Sequence, residues 1–408
     1  MIKNAFNFFV LLLSLAGTCA AGEPTAAVSS AAQIQSDANA STESAISPKL
    51  LWEKKLSKPI TSSAISKDGT EIAIADETGY LTLYNIKGEK LWDYHYEGKL
   101  PKRTYEFKSD KADTAILNMK FSASGKFIVC DLGVLNTIKE RHGIQNLSRY
   151  EPHKKLCFNS EGKLLWETLK RGRHEIGGDE YVLIQSGLRD EDDEEPVSYY
   201  LLDMAGQLLR SGKTCGDCDS GFSEDGRYMF AGTKLFESKT RQLLWEFHEN
   251  KRGVFTKLYN KFVIVGSGRS VRVYDVPTRK KLFDIERGIY ETLSANYVAA
   301  IEWPNLRVRE IQTGRVVWKD NINDHKFPGN WPLGYLAKDE KHLLVGSQTV
   351  MALYDMTGKV LWKQTPEALL LPCGVRARTN FDRYYSATEN TERFLLGCGE
   401  SARLYKSY

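Results

Sequence analysis

The side chains best equipped for chemistry in this 408-residue sequence are its cysteines and histidines, and their spacing restricts what they can do. Cys215 and Cys218 form Cys-Gly-Asp-Cys, the spacing used by thiol–disulfide oxidoreductases. That chemistry works at a helix N-terminus, which lowers the thiol pKa, and no helical pattern follows here. A small structural disulfide is therefore expected in place of a redox centre. Zinc would need a second Cys/His pair at ligand spacing, and the sequence has none. None of the seven histidines pairs with a recognisable nucleophile motif. The acidic run 189–195 (RDEDDEE) lacks the glycine-spaced order of a calcium loop and reads as a solvated loop tip. No catalytic, cofactor-binding or metal-ligating residue is assigned, and no cofactor is expected. The chain reads more as a binding protein than as an enzyme.

The elements that would carry any site are strands. One phrase recurs along the chain: LYNIKGEKLWDY at 83–94, CFNSEGKLLWET at 157–168, LLDMAGQLLRSG at 201–212 and LFESKTRQLLWEF at 235–247. It continues as VYDVPTRKKLFDI at 273–285, VREIQTGRVVWKD at 308–320 and LYDMTGKVLWKQ at 353–364. Each copy is an apolar run, a tight turn and a second apolar run, which is hairpin patterning. Trp52, Trp92, Trp166, Trp245, Trp318 and Trp362 share one slot, with Arg210 and Phe283 in the deviant copies. A tryptophan repeated once per period is best used to hold neighbouring sheets together. A second hairpin precedes many copies, as in AISKDGTEIAIAD at 64–76, FSASGKFIVCD at 121–131 and FSEDGRYMFAG at 222–232. Each period thus holds four short strands and no helix.

The phrase YDMTGKVLW at 354–362 resembles the tryptophan-docking repeat of quinoprotein-like (PQQ-like) propellers. The Ser-x-Asp-Gly hairpins resemble those of WD40-type propellers. The resemblance implies an all-β, single β-propeller of four-stranded blades, eight in number, or seven if 171–213 fails to form a complete sheet. The segment LLWEKKL at 50–56 is a fourth strand with no hairpin before it, and 393–408 stops after a third strand. Pairing the N-terminal strand with the C-terminal strands closes the ring without a free edge. Quinone-dependent dehydrogenases of this fold are longer and carry adjacent cysteines over the quinone, and this sequence has no Cys-Cys dipeptide. Scaffold lipoproteins that assist outer-membrane protein assembly resemble this chain in architecture alone.

Residues 1–21 read as a signal peptide: Lys3, the apolar run 8–16, then small residues to Ala21. Export to the periplasm, cell surface or exterior follows from that reading. Lipidation at Cys19 would add a membrane tether, although Thr18 fits a lipobox poorly. Residues 22–48 are rich in Ala, Ser and Thr and read as a flexible linker before the propeller at 49–408. In an oxidising compartment the remaining cysteines are disulfide candidates. Cys130 and Cys157 align with Ile74 and Leu83 on neighbouring strands, Cys215 with Cys218 is the second candidate pair, and Cys373 with Cys398 would tie the closing region.

The net charge of +4 is spread over 56 basic and 52 acidic residues, without the basic face that nucleic acid rewards. Function then rests on loops carried by a rigid disc. The candidate partner surface is the insertion 132–155, with Arg141, His142, Arg149 and His153, which could form a short helix or lid or extend a hairpin. The basic stretch 99–111 is a second candidate, and Asn146 and Asn39 begin glycosylation-type triplets. The expected function is a monomeric, non-enzymatic scaffold that docks a protein partner, in envelope assembly or a similar role. The alternatives are a PQQ-dependent or other funnel-site enzyme, or a glycan-binding propeller.

Overall fold

The computed structural model describes residues 48–407 except 99, 101–110, 142–143, 171, 187–197, 215–219, 248–253, 268–269, 287, 303–304, 322–332, 338, 347–350, 365–384, 388–392 and 399–400. The described residues form eight four-stranded antiparallel sheets arranged as the blades of a β-propeller, and contain no helix. In chain order, β1 (Lys49–Lys55) precedes blade 1, made of β2 (Ile60–Ile65), β3 (Glu71–Asp76), β4 (Tyr80–Asn85) and β5 (Lys90–His95). Blade 2 is β6 (Lys111–Phe121), β7 (Phe127–Arg141), β8 (Ile144–Asn159) and β9 (Leu164–Thr168). Blade 3 is β10 (Arg173–Gly177), β11 (Tyr181–Ser186), β12 (Ser198–Asp203) and β13 (Leu208–Lys213). Blade 4 is β14 (Ser220–Phe222), β15 (Tyr228–Ala231), β16 (Lys234–Glu237) and β17 (Leu243–Glu246). Blade 5 is β18 (Val254–Tyr259), β19 (Phe262–Ser267), β20 (Ser270–Asp275) and β21 (Lys280–Glu286). Blade 6 is β22 (Gly288–Leu293), β23 (Tyr297–Glu302), β24 (Asn305–Glu310) and β25 (Val316–Asn321). Blade 7 is β26 (Leu333–Leu336), β27 (His342–Gly346), β28 (Met351–Asp355) and β29 (Val360–Gln364). Blade 8 is β30 (Tyr385–Ala387), β31 (Arg393–Cys398) and β32 (Ser401–Lys406), completed by β1.

Two open expectations are thereby decided. The region 171–213 forms the full sheet β10–β13, so the count is eight blades and not seven. The ring closes through β1 against β32, with Trp52 opposite Leu404 and Lys55 opposite Ser401.

Apolar residues on both faces of the middle strands are buried between blades. Ile72, Ile74 and Tyr84 of blade 1 meet Leu395 and Leu404 of blade 8, while Ala73, Leu81 and Leu83 meet Ile116, Ile128 and Leu156 of blade 2. Each blade is thus sandwiched by two others, which is why its middle strands read as near-continuous hydrophobic runs.

The tryptophan slot works through a β-bulge repeated in every blade. The pairing between third and fourth strands shifts at Leu83/Tyr84, Cys157/Phe158, Leu201/Leu202, Leu235/Phe236, Val273/Tyr274, Val308/Arg309 and Leu353/Tyr354, and in β1 at Leu50/Trp52. The extra residue is the one just before the slot; Leu51, Leu91, Leu165 and Val317 are turned outward, Leu91 being 48% exposed, whereas Leu209, Leu244 and Leu282 pack partly on the core. The slot side chain is re-aimed at the third-to-fourth-strand turn of the next blade. Trp52, Trp92 and Trp166 donate their indole N–H to the turn carbonyls of Ile86 (3.0 Å), Ser160 (2.9 Å) and Met204 (2.9 Å). Trp362 donates to Ser407 at 2.7 Å. In the first deviant copy, the Arg210 guanidinium lies 4.5 Å from the Phe236 ring and donates to the Arg241 carbonyl, reproducing both roles of the indole.

The glycines of these turns are required twice over. Gly162 has φ of +83°, and a Cβ on it would sit 2.7 Å from the Trp92 ring; Gly314, with φ of +72°, faces Phe283 in the same way. Gly162→Ala therefore combines left-handed backbone strain with a steric overlap, and should destabilise the protein by about 2–4 kcal/mol in denaturant unfolding. Removing Lys49–Lys55 takes away the Trp52 contact and uncovers the β32 edge. The melting temperature should fall by at least ~10 °C; an unchanged melt would contradict ring closure through β1.

Candidate interaction face

In an antiparallel four-stranded blade, the first and third turns leave from one end of the strands, and the second turn and the blade-to-blade connection leave from the other. Here the first end carries short turns, several bonded between blades. Ser124 N–H donates to Asp179 Oδ1 at 2.9 Å, and Asn296 reaches the Glu340 carboxylate through its backbone and side-chain amides at 2.6 and 2.8 Å. The opposite end carries the long connections, 96–110, 187–197, 322–332 and 365–384. It also carries the one hairpin that, among the described residues, outgrows its blade. β7 and β8 stay paired from Phe127↔Asn159 out to Arg141↔Ile144, and β6 accompanies β7 as far as Lys111↔Thr137.

Of the readings open for the insertion 132–155, the extended hairpin is the one that forms, and strand pairing takes the place of a helix or lid. Arg141 is the last residue of β7, Arg149 pairs with Asn136 in β8, and His142 lies outside the described residues. His153 is only 4% exposed, because the β7–β8 pairing shifts between Leu132 and Gly133 and turns this position inward. It is a core residue and not a surface contact. Of the basic stretch 99–111, the described part is Leu100, packed on the core between blades 1 and 2, and Lys111, the first residue of β6. The acidic stretch 189–195, Cys215, Cys218 and Cys373 lie outside the described residues, and nothing is described of the Cys398 side chain.

Cys130 and Cys157 are not bonded to each other. Both are buried thiols. The register sets Cys130 opposite Leu156 and Cys157 opposite Val129, so the two cysteines are offset by one residue. Because side chains alternate across a sheet, they point to opposite faces of blade 2. Cys130 packs with Ile116 and Leu132 towards blade 1, and Cys157 with Val182 and Ile184 towards blade 3. Burial pushes the Cys157 thiol up to about 12 and holds Cys130 well above its ordinary range, so neither is a ready thiolate.

At the base of the long hairpin lies a sealed charge cluster that motif reading passed over. Asp131 on β7 and Lys155 on β8 are register partners, each 1% exposed, and form an ion pair. The Lys155 ammonium also donates to the Gly172 carbonyl (2.6 Å) and meets His174 Nδ1 at 3.3 Å, both in or beside β10 of the next blade. Asn118 of β6, held at φ of +51° in a bulge, donates its amide to Asp131 Oδ2 at 2.8 Å. His174 Nε2 lies 3.2 Å from the Val129 carbonyl, which can only accept. Nε2 therefore carries the proton, and Nδ1 receives the lysine.

Burial alone would raise the Asp131 pKa, but the Lys155 ammonium, helped by the Asn118 amide, outweighs it and holds the carboxyl at about 2. Burial first, and then the Lys155 cation, hold the His174 imidazole below its ordinary value, so it stays neutral. The cluster has no nucleophile and is closed to solvent; it pins the hairpin base to blade 3. In blade 1 the equivalent positions are Ala75 and Leu81, which is why the repeat gave no warning of it. Among the described residues, no three acid, histidine or cysteine side chains gather as a metal site.

The cluster makes stability pH-dependent in two windows. The unfolded chain protonates its histidine first, so His174 withdraws stability as pH falls below about 6.5. Asp131 withdraws it as pH falls from about 4 towards 2. His174→Gln should flatten the decline in unfolding free energy between pH 7 and pH 5, measured by urea titration. Asp131→Ala strands a buried ammonium and should cost about 3–5 kcal/mol at pH 7.

No protein-family model and no curated protein matches the sequence. Solved structures do. The crystal structure of BamB from Moraxella catarrhalis aligns with 14% identity and a TM-score of 0.56, over 88% of this chain and 98% of that one. The C-terminal WD40 domain of Sif2 aligns at 10% identity and TM-score 0.59, over 88% and 98%. The computationally designed Ika8 protein aligns at 12% and 0.55, over 88% and 99%. At these identities the likeness is one of fold, the β-propeller.

Proposed function

We propose that this chain is a non-enzymatic scaffold that docks a protein partner on the face carrying its long connections, and that it works in the periplasm or at the cell surface. The observation that carries the reading is the β6–β7–β8 extension, which continues past blade 2 on that face and is pinned at its base by Asp131, Lys155 and His174. A rigid disc with one projecting arm suits docking, because the ordering cost of the contact surface is largely met by the fold itself. The location rests on the signal-peptide character of residues 1–21. The propeller neighbours agree with a protein-binding role and name no partner.

The test is photo-crosslinking in the native host, with the reactive residue placed in turn on the arm and on the opposite face, at the exposed turn residues Lys126 and Lys341. One reproducible envelope protein captured from arm positions and not from the turn positions is the expected result. A chain recovered alone, or one bringing down a coloured cofactor, would favour the funnel-site alternative.

A further inference from the structure

The arm has an open edge. Blade 2 is ordered β6-β7-β8-β9, but β9 covers β8 only from Lys155 to Phe158. From Ile144 to Glu151, β8 has β7 on one side and, among the described residues, no strand on the other. That stretch is roughly 27 Å of strand whose alternate N–H and C=O groups point away from the sheet. Proteins commonly blunt such edges with proline, a short strand or a bulge. Here the proline, Pro152, and the register shift at Leu132/Gly133 both lie at the base of the arm and leave IQNLSRYE unobstructed.

We infer that this edge is a strand-addition site: an extended segment of a partner polypeptide pairs antiparallel with Ile144–Glu151 and extends the sheet in line with β9. The inference rests on the docking reading and specifies its mode. The occupant is a peptide strand and not a second copy of this chain. Two discs meeting along their arm edges would share only a strand-to-strand contact, well short of the ~800 Å² per partner typical of a stable interface. A flexible strand can instead use the whole edge, with main-chain hydrogen bonds giving affinity and alternate side chains giving selectivity. The pinned base matters to this mode, because a template that is already ordered lowers the cost of adding the strand.

The experiment uses the alternation of the strand. Leu147 and Ser148 are neighbours paired with Ile138 and Thr137, so one of their N–H groups points to β7 and the other outward. Hydrogen exchange on the free protein identifies the outward one as the faster. Leu147→Pro and Ser148→Pro are made in the full chain, together with a variant in which 134–151 is replaced by Asn-Gly. All are expressed in the native host with a photo-crosslinker at Leu169, an exposed position just past β9 that every variant keeps. The outward proline should leave the melting temperature within a few degrees of the parent and cut the crosslinked envelope protein at least tenfold. The inward proline should disturb the hairpin itself.

Parental crosslinking by the outward-proline variant overturns strand addition, and so does a crosslinked product that is a second copy of this chain. If the 134–151 replacement abolishes capture while the outward proline does not, docking on the arm stands and its strand mode falls. If the replacement captures the partner as the parent does, or the parent captures nothing, both fall.

Discussion

At five of its eight junctions this ring is held by one large side chain lying on a turn glycine of the next blade. Trp92 on Gly162, Trp166 on Gly206, Phe283 on Gly314 and Trp318 on Gly358 are copies of one contact, and Arg210 against Arg241 is its polar variant. The contact requires a bulge to aim the slot residue, a glycine to admit it and, in the tryptophan copies that donate, a carbonyl to receive the indole N–H. Where one requirement changes, another compensates. Trp318 finds no acceptor for its N–H among the described residues and instead stacks on Tyr354, with centroids 5.5 Å apart. The closure at β1 belongs to the same series, since Trp52 reaches Gly88 and Ile86 of blade 1 from the far end of the sequence.

A ring tied in this way leaves function to whatever departs from the repeat, and blade 2 departs most. Its middle strands run well past those of the other blades, and the extension begins where Asp131 and Lys155 replace the apolar pair found in blade 1. A buried ion pair is poor evidence for stability, because desolvation offsets much of the attraction. Its value here is geometric. The ammonium is shared among Asp131, the Gly172 carbonyl and His174, so it joins two blades at the root of the arm. A hydrophobic pair could fill that space without specifying the same direction.

At four of the bulges the extra residue accounts for an exposed aliphatic side chain on the rim. Leu51, Leu91, Leu165 and Val317 are exposed because the bulge that buries the slot residue turns its neighbour out. They are by-products of inter-blade packing and need no ligand to account for them.

The sequence by itself determined the fold class, the strand order within a period and the closure of the ring, because those depend on local alternation, turn glycines and one residue slot. It also located the insertion in blade 2. The one-residue register that separates Cys130 from Cys157 was decided only in the tertiary structure, since a shift of one position moves a strand side chain to the other face without altering the pattern. The same holds for His153, which the hairpin shift turns inward. The Asp131–Lys155–His174 cluster was equally invisible, as its members lie on three strands of two blades and carry no motif. Repetition makes the common contact legible; a contact made once, between distant residues, exists only when the chain has folded.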